Sequence, residues 1–235
     1  MEYKYSQDDN FEDFACGRVI YHKTGMPSFP VRLANEIYRR CLSYLESKEN
    51  ITLYDPCCGG GYLLTVLGVQ NNHSIGKLYG SDIDPTAVSL AADNLSLLTK
   101  AGLEKRKQEL QQMYTQFGKQ SHLDALDSLP VFANLLAKEL PSEVFLLDIL
   151  SDQLADRNFT ADIICVDVPY GNMVSWSADD TDAINIMIQN LSHFMNEDTV
   201  LAVISDKKQK LNYDQFRRLE KNNIGKRKFE LLQLL

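Results

Sequence analysis

The stretch that decides the fold is Ile51-Thr52-Leu53-Tyr54-Asp55-Pro56-Cys57-Cys58-Gly59-Gly60-Gly61, continued by YLLTVLGV at 62–69. ITLYDPC reads as a short apolar strand with a polar end. Three glycines interrupt it, and the apolar run restarts as a buried helix. Outward from this block, strand and helix signals alternate. KLYGSDID (77–84) reads as a second strand, and Pro85 opens a helix through AVSLAADNLSLLTKAG. VFLLDIL (144–150) is a third strand, and DIICVDVPYG (162–171) a fourth with its exit loop. Residues 182–195 read as helix and TVLAVISD (199–206) as a fifth strand, and FELLQLL closes the chain. That order predicts a doubly wound α/β domain with a mainly parallel sheet. In such sheets, ligands bind beyond the carboxyl ends of the strands.

On the N-terminal side, the first fifteen residues carry five acids and read as a loosely packed arm. RVIY (18–21) suggests a short strand. Pro30 suits the start of a helix whose apolar face is Ala34, Ile37, Cys41 and Leu45. Residues 1–50 are therefore expected to pack as arm, strand and helix on a catalytic domain of 51–235. The stretch 103–141 is too long for a simple connection and reads as a helical insertion, in hairpin form over one side of the site, against a solvated scaffold extension as the bland alternative.

Length and composition limit the function classes. The 235 residues are 44% apolar and 24% charged, which suits one sizeable packed domain. The net charge is −8 and the sequence pI about 5.0, which excludes a generally basic nucleic-acid coat. No run of 18 apolar residues suggests a membrane span, and the polar start does not resemble a secretory signal. Five cysteines without CxxC spacing, and four scattered histidines, suggest reduced thiols, no required metal and a cytoplasmic protein.

The glycine block is the first candidate site. Aligning GxGxxG at Gly59 places Leu64 where the third glycine belongs, which counts against a dinucleotide. No GK[ST] follows, so a phosphate loop is unsupported. Asp55, just before the glycines, suits a cationic ligand such as S-adenosyl-L-methionine, which carries an ammonium and a sulfonium but no pyrophosphate. Cys57, Gly59 and Gly61 would line its path. Asp82 is placed to accept from ribose hydroxyls, Ile83 to press on adenine, and Asp148 to accept from adenine N6. Asp84 is expected to cap the helix at Pro85 instead. The bland reading of each is a loop-fixing or capping acid.

A second site follows the fourth strand. Asp167 can accept from an amine, the carbonyl of Val168 or Pro169 can accept a second hydrogen, and Tyr170 can stack over a ring. Trp176 offers another aromatic face. Such a pocket suits methylation of an extruded base. A carboxylate accepts from both N1–H and N2–H of guanine but repels the N1 lone pair of adenine. Asp167 therefore leans towards guanine, and the expectation is transfer to the exocyclic N2 amine.

The stretches GRVIYHKTGMPSFPVRLANEIYRRCL, YDPCCGGGYLLTVLG, YGSDIDPTAV and DVPYG together resemble the avilamycin-resistance type of ribosomal RNA guanine methyltransferase. The resemblance covers most of the chain. It implies a Rossmann-like class I methyltransferase fold, S-adenosylmethionine as donor, and guanine in 23S ribosomal RNA or a large-subunit assembly particle as acceptor. It puts Asp55 and Gly59–Gly61 near the methionine part, Asp82 by ribose, Asp148 by adenine, and Asp167–Tyr170 by the base. Arg18 and Arg32, in the matching N-terminal block, become candidates for RNA or cofactor contact, against surface salt bridging as the plainer role. Gly60 stands where the family often has serine. DVPYG departs from the broader NPPY pattern, with Asp for Asn and Val for the first Pro, in a form that the narrower family tolerates.

Residues 207–228 hold nine bases against two acids, so this segment is +7 and the remainder −15. Lys207, Lys208 and Lys210 are the candidates for RNA phosphates, against a solvated helix and loop as the bland alternative. The sequence leaves the oligomeric state open, a monomer included. The rival functions are methylation of adenine N6 or another planar amine, a non-catalytic RNA-binding or ribosome-assembly protein, and a nucleotide-dependent oxidoreductase.

Overall fold

The computed structural model describes the chain except residues 27, 152, 153, 155, 156, 169–179 and 213. A seven-stranded sheet is built from β1 (Ile51–Asp55), β2 (Ile75–Asp82), β3 (Ser142–Leu146), β4 (Ile163–Asp167), β5 (Val200–Asp206), β6 (Phe216–Ile224) and β7 (Arg227–Leu234). Their spatial order is β3-β2-β1-β4-β5-β7-β6. The first five pair in parallel, and β7 runs antiparallel to both β5 and β6. The dinucleotide-binding order 3-2-1-4-5-6 has no such strand slotted before the last.

Helices cover both faces. On one side lie α1 (Val31–Tyr44), α2 (Tyr62–Gln70) and α3 (Pro85–Ser96), whose buried residues share a core with Leu53, Leu78, Cys165 and Ile204. On the other side α6 (Asp180–Leu191) packs Ile184, Met187 and Leu191 against Tyr54, Val166 and Val203. Alternation along each strand assigns one residue row to each core. The apolar rows Ile51–Leu53, Leu78–Gly80 and Ile163–Cys165 therefore end, on a single face, in Asp55, Asp82 and Asp167.

The insertion is a helical hairpin of α4 (Lys100–Phe117) and α5 (Gln120–Leu135). It clasps the N-terminal segment: the Phe132 ring packs tilted against Phe14 at 5.0 Å, and Ser128 Oγ donates to Asp13 at 2.7 Å.

Three expectations fail here. RVIY is not a strand. Val19 and Ile20 are fully buried, but side chains replace a partner strand. Arg106 donates to the carbonyls of Arg18 and Val19 at 2.9 Å each, and Asn94 accepts from the N–H of Tyr21 and donates to its carbonyl. The acidic arm is docked rather than loose. Glu36, buried in α1, accepts the N–H groups of Lys4, Tyr5 and Ser6 at 2.8–2.9 Å and pairs with Arg40 at 2.7 Å. The basic C-terminal segment holds no helix among its described residues: Lys207, Lys208 and Lys210 lie in a loop, and the chain from Phe216 on forms a β-hairpin on the sheet.

Candidate active site

β1 ends in Asp55, whose side chain is buried and accepts from the N–H of Cys57 at 3.1 Å. The chain then turns under α2. Gly59 and Gly61 sit at φ +51° and +74°, the left-handed region that only glycine enters cheaply. A Cβ on Gly61 would lie 3.0 Å from Cα of Ala91 in α3, so this residue also permits the helices to close. Gly61 accepts from Thr65 Oγ1 at 2.8 Å, and Gly60 from Asn94 Nδ2 at 2.7 Å. Asn94 thus joins the glycine turn to Tyr21 in the N-terminal segment. Leu64, in the place of a third dinucleotide glycine, is fully buried core.

Asp82 ends β2 on the neighbouring strand. Its Oδ2 accepts the Gly59 N–H at 2.8 Å and its Oδ1 the Asp84 N–H at 3.0 Å, which fixes the carboxylate against the glycine turn. A carboxylate offers about four acceptor positions, so these two bonds leave capacity for hydroxyl donors. Ile83 follows with 64% of its surface exposed, an apolar face open at the rim. Asp84 caps α3 through the Thr86 N–H at 2.8 Å, and Pro85 opens the helix. Beyond β3, Asp148 Oδ1 accepts the Leu150 N–H at 2.9 Å and holds that loop.

The fields of these acids meet at one side chain. Burial, and then Asp55, Asp82, Asp148 and Asp167, push the Cys57 thiol well up. It is a neutral group lining an acidic crevice. The Asp55 carboxyl is pushed up to about 8, chiefly by burial; the Cys57 N–H partly offsets this, and Asp82 and Asp167 add to it. A buried carboxyl repelled by two others is the donor set that a cation would settle. Among the described residues, no group of three or more His, Cys, Asp or Glu is arranged to hold a metal ion.

Asp167 ends β4, and Val168 behind it is buried and tied to the carbonyl of Ile204 at 2.9 Å. Burial raises the Asp167 carboxyl to about 6, against the pull of Arg227, whose Nη1 lies 3.2 Å from Oδ2. Pro169, Tyr170 and Trp176 lie outside the described residues. Sequence reasoning counted Arg227 only as one base among nine. The missed signal was the β7 alternation, in which Arg227 shares a row with Phe229 and Leu231 of the first core.

The other basic candidates divide. Lys207, Lys208 and Lys210 are exposed just past β5, on the same rim as the acids, and Lys226 joins them at the β6–β7 turn. Arg218, Lys221 and Lys228 instead pair with buried Glu230. Arg18 pairs with Glu12 at 2.5 Å, and Arg32 with Asp8 at 3.1 Å, so both contact the docked arm.

A family model described as rRNA methyltransferase AviRa matches residues 1–227. The 23S rRNA (guanine(2535)-N(1))-methyltransferase of Streptomyces viridochromogenes is 35% identical over 228 residues, covering 94% of this chain and 91% of that protein. A 1.5 Å structure of the rRNA methyltransferase aviRa from that organism superposes with a TM-score of 0.90 at 32% identity, covering 99% of this chain and 96% of that one. The yhhF chain of Escherichia coli, at 13% identity and a TM-score of 0.53, covers 89% of this chain and 88% of its own and shares the fold alone. The sheet order, the glycine turn beneath α2 and the whole-length match place the architecture among class I methyltransferases, and this chain belongs to the AviRa family of ribosomal RNA methyltransferases.

Proposed function

We propose that this chain transfers a methyl group from S-adenosylmethionine to N1 of a guanine in 23S ribosomal RNA. The observation that carries the reading is the row of Asp55, Asp82 and Asp167 at the ends of three neighbouring parallel strands beside the glycine turn, within a family of rRNA methyltransferases. The relative's name specifies N1. The expectation of N2 therefore loses its support. The physical reason is plain: a carboxylate at the Watson–Crick edge accepts from N1–H and N2–H alike. Asp167 selects guanine, but its chemistry does not select the atom.

When bound, the donor supplies an electrophilic methyl group on a sulfonium. In this proposal Asp55 takes the cationic methionine end, and Cys57, Gly59 and Gly61 line its path. Asp82 accepts from the ribose hydroxyls, while Ile83 and Asp148 face adenine. Asp167 orients the base, with Pro169 shaping the turn and Tyr170 stacking on the ring. Lys207, Lys208 and Lys210 meet RNA phosphates beside the site, and Trp176 adds a stacking face. Arg18 and Arg32 hold the arm rather than the RNA. The same reading places the enzyme in the cytoplasm, on 23S RNA or a large-subunit assembly particle.

The test is incubation with labelled S-adenosylmethionine and unmodified 23S RNA, followed by nucleoside mapping. N1-methylguanosine is expected. N2-methylguanosine, or label in adenine, overturns the reading. Inosine in place of the target guanine sharpens it: N1 transfer survives loss of the 2-amino group, and N2 transfer does not.

A further inference from the structure

Asp167 has a cationic neighbour that the reading above leaves without a task. Arg227 opens β7, and its Nη1 lies 3.2 Å from Oδ2 and 3.5 Å from Oδ1 of Asp167. The two residues belong to strands separated by β5. They meet because both extend the same apolar row: Cys165 precedes Asp167, and Phe229 follows Arg227, in one core. The side chains keep 30% and 29% of their surface exposed, so the pair opens onto the rim and a base can reach it. Phe29, just before α1, places its ring centroid 6.0 Å from the guanidinium carbon. A guanidinium presents its five N–H groups in a planar fork, the geometry that suits a base edge.

We propose that Arg227 and Asp167 together read the Watson–Crick edge of the target guanine, Arg227 donating to O6 and Asp167 accepting from N1–H. This rests on the guanine-N1 reading above. Guanine presents an acceptor, O6, beside two donors, N1–H and N2–H. The pair offers the complement, a donor beside an acceptor. Adenine inverts both positions: its 6-amino group faces the guanidinium, and its N1 lone pair faces the carboxylate. A site whose polar groups are left mispaired rejects such an analogue strongly.

The same contacts serve the chemistry. N1 of guanine is amide-like, and its lone pair is available only once the proton leaves. Asp167 takes that proton. The electrons of the broken N–H bond spread over N1 and O6, and Arg227 stabilises the charge at O6. N1 then bonds to the methyl carbon as the carbon–sulfur bond breaks, and that bond's electrons leave with the sulfur as a neutral thioether. The proton on Asp167 exchanges with water after release. Burial makes Asp167 a stronger base than a surface carboxylate, while Arg227 limits that rise, so the group stays ionised at neutral pH.

The experiment is single-turnover transfer to an RNA fragment with saturating donor, across acid to alkaline pH, for wild type, Arg227→Ala and Arg227→Lys. RNA affinity is measured separately. Arg227→Ala should transfer slower by on the order of 10²–10³-fold, the loss typical of an oxyanion donor. Its RNA affinity should stay close to wild type. The acid limb of its rate profile should move to higher pH, because Asp167 has lost its cation. Added guanidinium should restore part of the rate to Arg227→Ala but not to wild type. Arg227→Lys, which keeps charge without the fork, should fall between them and answers the question should the alanine variant not fold. Unchanged transfer in either variant, or a loss confined to RNA affinity with an unmoved acid limb, overturns the proposal. If wild type forms no N1-methylguanosine, the guanine-N1 reading itself fails. If wild type forms it and Arg227→Ala does so at the same rate, only the role of Arg227 fails.

Discussion

Replacing Asp55 by Asn should stabilise the donor-free protein while removing donor binding. Asp55 is buried, with one backbone N–H as partner, and two further carboxylates act on it. Its carboxyl is raised from 3.8 to about 8. Between those values the folded state holds a proton that the unfolded state has released. Stability therefore falls as pH rises from about 4 to about 8, by about 1.4 kcal/mol per pH unit, and is level outside that window. At pH 7 the accumulated cost is about 4 kcal/mol. Asn removes the charge and keeps an oxygen for Cys57, but it buries an NH₂ that needs an acceptor, at about 1–3 kcal/mol. The net gain at pH 7 should be about 1–3 kcal/mol, or roughly 2–12 °C in Tm for a domain of this size. The sharper measurement is the slope. Urea unfolding of both proteins without donor, from acid to mildly alkaline pH, should show the variant's advantage growing with pH and levelling near 8. A pH-independent difference would refute the reasoning. Calorimetry should find that wild type binds S-adenosylmethionine with proton release near neutrality, and that the variant does not bind it.

Three further outcomes follow from other contacts. Glu36→Gln should cost about 3–5 kcal/mol, because it leaves Arg40 without its buried counter-charge. Hydrogen exchange at Lys4, Tyr5 and Ser6 should lose protection. Burial alone would raise Glu36, but those three N–H groups and Arg40 lower it overall, so wild type should also lose this stabilisation as pH falls below the ordinary carboxylate range. Gly59→Ala should cost about 1–2 kcal/mol for the left-handed backbone alone. Gly61→Ala should cost more by thermal melt, since its Cβ also meets the α3 backbone, and should weaken donor binding. Changing Lys207, Lys208 and Lys210 to Ala should leave donor binding intact and lower the salt slope of RNA binding by about 2–3, as three phosphate contacts require.

The active-site half of the fold was legible because its signals are local. An apolar run that ends in Asp55 and is broken by glycines describes a strand, a turn and a helix without reference to anything distant. The hairpin of α4 and α5 was legible from the length of the stretch and the helical patterns in LEKRKQELQQMYTQFG and VFANLLAKEL. The failures were places where distant groups supply the hydrogen bonds. Val19 and Ile20 have strand-forming side chains, yet Asn94 and Arg106 satisfy the backbone there. Five acids near the start suggested a solvated arm, but Glu36 and Arg40 sit thirty residues on and gather it in. β6, with Arg217, Arg218 and Lys221 along it, has no apolar row to announce a strand. It exists because β7 offers it an edge.

The sequence by itself determined which acids end the strands at the rim. Period-two alternation carries each apolar row to a polar terminus, so Asp55, Asp82 and Asp167 had to emerge on one face at one edge of a parallel sheet. Only the tertiary structure decided what those acids face. Arg227 lies sixty residues beyond Asp167 and reaches it because β7 runs back antiparallel beside β5, and no local pattern encodes that reversal. A strand's alternation is set by its own backbone, while its neighbours are set by where the rest of the chain finds room to pack.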